Sequence, residues 1–263
     1  MPLVIGIAVR DGLVVASDSR VYGSVNEGPA RLISDHVPRL FRLSRYAAVA
    51  YWGPPLIFHN DEMVSVSSVV ANIIADCAEE SRLEEAATAF RRSLLASVGQ
   101  EIFKTTGPFG FMFAGYDQNN VGRIMTVDLP GEDYREFRST ANPGITPQGY
   151  HRVVTRILSG LDPDLIAEFN SRPDEDAFKR KAANMRFLIP WSLLSIGDAA
   201  AIAETLIQTT AAVQRIAFAV GTPENHYQPD VGGPIDIAVV TRSGFHWVKR
   251  KSEYPATPSW PGA

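Results

Sequence analysis

After Met1-Pro2 the chain runs Leu3-Val4-Ile5-Gly6-Ile7-Ala8-Val9, then Arg10-Asp11-Gly12, then Leu13-Val14-Val15-Ala16-Ser17 and Asp18-Ser19-Arg20. Asp-Gly between two runs rich in β-branched residues is a strong hairpin signal, because both positions tolerate the positive φ of a tight turn. A second pair follows the polar, glycine-containing stretch Tyr22 to Pro29: Val37 to Leu43 and Tyr46 to Trp52, turning at Ser44-Arg45. Two helices come next. Val66, Val69, Val70, Ile73, Ile74 and Cys77 recur at helical spacing, as do Leu83, Ala87, Phe90, Leu94, Val98 and Ile102. Ser81-Arg82-Leu83-Glu84 has the form of a capping box for the second helix.

Strands return at Phe109 to Tyr116, Gly122 to Val127 and Tyr134 to Ser139, with turn residues between them. A second helix pair is marked by Val153, Val154, Ile157, Leu158 and Leu161, and by Ile202, Leu206, Thr210 and Val213. Between them the charged segment Asp162 to Pro190 reads as a helical insertion. The chain closes with strands at Ile235 to Thr241 and Phe245 to Val248, then a basic, proline-rich tail over 249–263. Strands arrive in hairpins rather than singly between helices, which fits antiparallel sheets better than a doubly wound parallel sheet. Two antiparallel sheets face to face, with helices outside each, would bury every stripe at once. No internal repeat or dividing linker is visible, so residues 1–248 read as one domain.

Composition narrows the function classes. The chain has 263 residues, of which 45% are hydrophobic and 21% charged, values that support a sizeable core and exclude general disorder. Its formal net charge of -4 leaves no basic surplus for phosphates, so nucleic acid and anionic membrane are not expected partners. Arg10-Asp11 interrupts the N-terminal apolar run too early for a signal peptide, and no later run reaches a membrane span. Cys77 is the only cysteine, which precludes an intrachain disulfide and fits a reducing, cytoplasmic setting; its place on an apolar helical stripe fits a buried structural thiol. The five histidines are too dispersed for a local metal motif, and no phosphate loop or Gly-x-Ser-x-Gly elbow is present. No cofactor and no metal are expected.

Three separated segments carry a family resemblance. Val4 to Arg20, ending in Ala16-Ser17-Asp18-Ser19-Arg20, resembles the start of a mature proteasome β-type subunit. Phe113-Ala114-Gly115-Tyr116-Asp117 is similar to that family's mid-chain Gly-Tyr-Asp strand end, and Val231-Gly232-Gly233-Pro234-Ile235-Asp236 to its Gly-Gly turn into the final strands. The resemblance implies a four-layer αββα sandwich of the N-terminal-nucleophile hydrolase type, α+β in class. It further implies peptide or amide hydrolysis inside a ring-like assembly.

In that family the first mature residue, usually threonine, attacks the substrate carbonyl and its own amine serves as base. Carried across by position, the aspartate sixteen residues later is Asp18, which puts Pro2 at the nucleophile position. The lysine falls on Arg39 and the oxyanion glycine on Gly53; the substrate-binding edge falls on Val21 and Tyr22. Pro2 has neither hydroxyl nor thiol, and Arg39 holds its charge at any physiological pH, so it cannot pass a proton as lysine can. Gln228 and Val231 stand where the family carries an aspartate and a serine, with Asp230 adjacent. One reading is a non-catalytic assembly subunit in which Asp18 and Arg39 survive as a structural salt bridge. The alternative is an amide hydrolase using the Pro2 amine as general base, with Asp18 and Arg39 tuning it and Gly53 donating to the oxyanion. A homo-oligomer with the insertion and tail near its contacts is expected, and a peptide is the expected substrate; the sequence identifies no ATPase partner.

Overall fold

The computed structural model describes residues 1–23, 31–59, 62–99, 109–129, 131, 133–162, 185, 187–220 and 229–251. The opening hairpin forms as the Asp-Gly signal predicts: β1 (Leu3–Val9) pairs antiparallel with β2 (Gly12–Ser17), Val9 opposite Gly12. It lies at the middle of a five-stranded sheet ordered β12 (Gly144–Gly149), β1, β2, β13 (Asp236–Thr241), β14 (Gly244–Lys249). A second five-stranded sheet is ordered β11 (Arg135–Ser139), β10 (Gly122–Leu129), β9 (Phe109–Tyr116), β6 (Ala47–Trp52), β5 (Leu40–Ser44). Every pairing in both sheets is antiparallel.

The facing sides of these sheets bury Val4, Ala8, Leu13 and Val15 against Ala48, Ala50, Trp52, Met112 and Ala114. The approach is close enough to require glycine in β1: a Cβ on Gly6 would sit 2.8 Å from Met112 Sδ. On the far side of the second sheet pack α1 (Val66–Ala75) and α2 (Leu83–Val98), where Phe90 stands edge-on to Phe111 and Phe113 at ring distances of 5.1 and 5.7 Å. Against the first sheet pack α3 (Arg152–Ser159) and α4 (Ile196–Val220), the latter through Ala199, Ala200 and Ala203, whose small side chains bring its axis close to the strands.

The two-sheet αββα sandwich expected from the sequence is corrected. Four antiparallel sheets, not two, are present among the described residues, and fourteen strands stand against four helices. The molecule is strand-rich with several sheets, not a plain helix–sheet–sheet–helix stack. The additional pairing comes from segments that lack a strand signal. β3 (Val21–Gly23) pairs with β4 (Arg31–Ser34), and β7 (Leu56–His59) with β8 (Glu62–Ser65), as two-stranded ribbons. Gly144-Ile145-Thr146-Pro147-Gln148-Gly149, which is not among the expected elements, pairs with β1 as an edge strand, where one side needs no ladder partner for Pro147.

Helix ends differ from expectation too. Ser81 does not cap α2: the N-cap is Arg82 without a side-chain cap bond, and the Ser81 carbonyl accepts the Ser44 hydroxyl at 2.8 Å. Glu84 and Glu85 in the first turn favour that helix start electrostatically instead. A reciprocal cap appears at α4, where Asp198 N–H donates to Ser195 Oγ at 3.1 Å and Ser195 N–H to Asp198 Oδ2 at 3.0 Å, so this helix begins six residues before Ile202. Apart from Asp162, Met185 and Phe187 to Pro190, the expected insertion lies outside the described residues, as does the tail after Lys251. No described helix is long and apolar enough to cross a membrane.

Candidate functional site

The hairpin sets the site, because antiparallel pairing of β1 with β2 brings the start of one strand beside the end of the other. Val4 pairs with Ser17, so Pro2 and Leu3 arrive next to Asp18. The Asp18 side chain is fully buried and is held by three backbone donors. Leu3 N–H donates to Oδ1 at 2.9 Å; Gly232 and Arg20 N–H donate to Oδ2 at 2.9 and 3.3 Å. Burial pushes the Asp18 carboxyl above its usual range, against the Arg39 charge and these three donors. The Gly232 carbonyl accepts Ser19 and Arg20 N–H, both at 3.0 Å, so the Gly-Gly segment is stitched to the end of β2. Gly233 has φ 72°, and a Cβ there would meet the Asp35 carbonyl oxygen at 2.4 Å; only glycine fits.

Arg39, immediately before β5, is 1% exposed. Its Nη2 donates to the Arg20 carbonyl at 3.1 Å, and its guanidinium lies 5.3 Å from the centre of the Tyr51 ring. Nε and Nη1 find no acceptor among the described residues. The salt bridge read between Asp18 and Arg39 is not made by contact; Arg39 acts on Asp18 through space while backbone groups hold the carboxylate. Arg20 is the residue with a direct carboxylate partner, reaching both Asp35 oxygens at 2.6 and 3.1 Å.

Pro2, Arg39 and Gly53 border one cavity of about 280 Å³, together with Val21, Tyr22, Arg20, Pro54, Pro55, Met1 and Asp230. Asp18, fully buried, is not part of its lining. Gly53 has φ 121°, a conformation available to glycine, at the end of β6. Pro2 is buried and its carbonyl accepts Tyr150 N–H at 2.9 Å. The Met1 amino group pairs with Asp230. Val231 is buried away from the cavity, its N–H donating to Gln214 Oε1 at 2.8 Å; Gln228 lies outside the described residues.

Sequence reasoning missed Lys251. Its buried Nζ donates to Ser19 Oγ at 2.7 Å and to the Val37 carbonyl at 2.8 Å, and pairs with Asp236 Oδ2 at 2.9 Å. Burial holds this amine below the usual lysine range, opposed by Asp236. Ser19 Oγ in turn donates to the Pro234 carbonyl, so Ser19 is a bridge and not a free hydroxyl. The available signal was Asp236 at the mouth of a final strand, a buried carboxylate that needed a cation; Lys249-Arg250-Lys251 read only as solvated tail. Among the described residues no group of three metal-ligating side chains forms.

No family model matches the chain, and no curated protein matches it. Solved structures do. Anbu from Hyphomicrobium sp. strain MC1 is 15% identical over 95% of this chain and 86% of that one, with a TM-score of 0.52. Anbu from Yersinia bercovieri, described as an ancestral beta-subunit, is 13% identical over 96% of this chain and 89% of that one, with a TM-score of 0.54. At these identities the likeness establishes fold alone. The sequence-based placement among proteasome β-subunit-like N-terminal-nucleophile hydrolases is corrected accordingly: the neighbours are Anbu proteins, and the sheet architecture is the strand-rich one described above. The misassignment has a physical root, since hairpin and Gly-Gly turn signals report local geometry that related strand-rich architectures share.

Proposed function

We propose that this chain is a non-hydrolytic, peptide-binding subunit of an Anbu-like, proteasome-related assembly. One observation carries the reading: the position beside Asp18 that faces the cavity is Pro2, which offers no hydroxyl or thiol. Asp18 spends its acceptor capacity on three backbone N–H groups, a role that fastens β1 to the Gly-Gly segment. Arg39 holds a fixed charge where proton transfer would need a group able to lose one. The serine hydroxyls flanking Asp18 are also committed or enclosed: Ser19 is bridged, and Ser17 is buried. What persists is a cleft with apolar walls and a cationic floor, suited to holding an extended peptide without cutting it.

Assembly as a homo-oligomer is part of the same proposal. α4 turns Val213 and Ile216 outward, 43% and 67% exposed, and Leu188 and Leu193 before it are 92% and 79% exposed. Exposed apolar groups on one outer helix and in the segment leading into it fit an interface between copies. Incubating the full-length protein with a degenerate peptide library, with mass-spectrometric readout, tests the activity half. No cleavage is expected; turnover that disappears in R39M refutes it. Light scattering tests the other half, with a clean monomer near 28.8 kDa as the refuting result.

A further inference from the structure

We propose that the cavity is a receptor for the free carboxylate at the C-terminal end of a peptide, with Arg39 as its anchor. The inference rests on the peptide-binding reading above and adds the chemistry that would be recognised. It follows from the charges around the cavity. The Arg20 guanidinium is taken by both Asp35 oxygens, and Asp230 by the Met1 amino group. Asp18 is satisfied by three N–H donors. Among the described residues, Arg39 alone of the charged groups bordering the cavity has no oppositely charged group in contact. Two of its donors, Nε and Nη1, are buried and lack an acceptor among the described residues.

A guanidinium left this way is a buried cation awaiting an anion, because desolvation has removed the water that would otherwise serve its donors. Nη2 gives one N–H to the Arg20 carbonyl and keeps a second, so a carboxylate can bridge Nη2 and a neighbouring nitrogen through two parallel hydrogen bonds, a geometry a lysine amine cannot reproduce. The remaining wall is mostly apolar: Val21, Pro54 and Pro55, with the Tyr22 ring beside them. A cavity of about 280 Å³ with that lining admits the last residue of a chain and not a folded partner. Gly53 at its rim brings backbone close without a side chain in the way. The favoured ligand is therefore a peptide whose terminal residue is apolar and whose carboxylate is free.

Calorimetric titration of the full-length protein with matched peptides tests this. The probes are an acetylated tripeptide ending in valine as the free acid, the same tripeptide as its C-terminal amide, and propionate. The free acid is expected to bind at least ten-fold tighter than the amide. R39M abolishes that difference and R39K retains only part of it, with thermal unfolding confirming that each variant is folded. Equal binding of acid and amide overturns the carboxylate inference while leaving peptide binding standing. Binding of neither peptide overturns both. Propionate binding as tightly as the peptide acid assigns the site to small free carboxylates and overturns the peptide-terminus claim. Because acid and amide are compared on the unaltered protein, the inference stays testable even if no Arg39 variant folds.

Discussion

Replacing Lys251 with methionine probes the least anticipated contact around the site. The ammonium group serves three acceptors, Asp236 Oδ2, Ser19 Oγ and the Val37 carbonyl, and the Lys251 and Asp236 side chains are only 9% and 3% exposed. Methionine keeps the length and apolar stem but leaves the Asp236 carboxylate enclosed without its cation. Breaking a buried pair from one side costs about 3–5 kcal/mol. Part is offset, because burial already disfavours the ammonium form of Lys251. A net loss of roughly 2–4 kcal/mol is expected for K251M. Asp236 Oδ1 also accepts the backbone N–H of residue 251 at 2.8 Å, a bond that an asparagine carbonyl can keep. The double variant K251M/D236N should therefore recover at least ~1.5 kcal/mol relative to K251M alone. Urea unfolding followed by circular dichroism and fluorescence reads both numbers, provided the m-value is unchanged. K251M within ~0.5 kcal/mol of the parent protein, or strictly additive single variants, would refute the idea that this pair holds the end of β13 against Ser19.

Other consequences follow from particular contacts. G233A should cost at least ~2 kcal/mol and raise the mobility of Arg20, since φ 72° and a 2.4 Å approach to the Asp35 carbonyl leave no room for a methyl group; NMR linewidths together with a urea melt check both effects. F90A removes a fully buried ring packed on Phe111 and Phe113, for an expected loss of about 3–5 kcal/mol in the same melt. Burial pushes the Tyr134 phenol up to about 12, against the Arg91 charge. A raised folded-state value means the phenol stays protonated in the native protein after it would ionise in the unfolded chain. Its contribution is thus complete below pH 10.0 and is lost as pH rises through about 12. Unfolding midpoints measured across that window should fall in the parent protein and fall less in Y134F.

Local periodicity made much of the architecture legible. The Asp11-Gly12 hairpin, the strands of the two large sheets other than β12, and the helices carrying the stripes that begin at Val66 and Leu83 lie close to where spacing places them, with Ile102 outside the described residues, because each is specified by its own residues. β12 was hidden because Gly144 and Pro147 are poor strand formers; its place is decided by the ladder that β1 offers. The ribbons β3–β4 and β7–β8 were hidden for a similar reason: short edge pairs flanking polar turns carry little pattern. At the site, Pro2, Arg39 and Gly53, chosen through the family resemblance, border one cavity, and Asp18 takes the N–H of Leu3 beside Pro2. The partners of those residues were not legible. Backbone N–H groups of Leu3, Arg20 and Gly232 hold Asp18, Asp35 rather than Asp18 takes an arginine, and Lys251 arrives from the far end of the chain. Such contacts are set by tertiary closure, which no window of sequence contains.

The central claim is that the cleft binds without forming a covalent bond. Intact mass spectrometry after prolonged exposure of the full-length protein to a peptide epoxyketone measures this directly, since the reagent needs a hydroxyl nucleophile with an adjacent amine. The account predicts an unchanged mass and, in parallel, no released peptide fragments. A stoichiometric mass increase that maps to the segment preceding Asp18, and is lost in R39M, would contradict it.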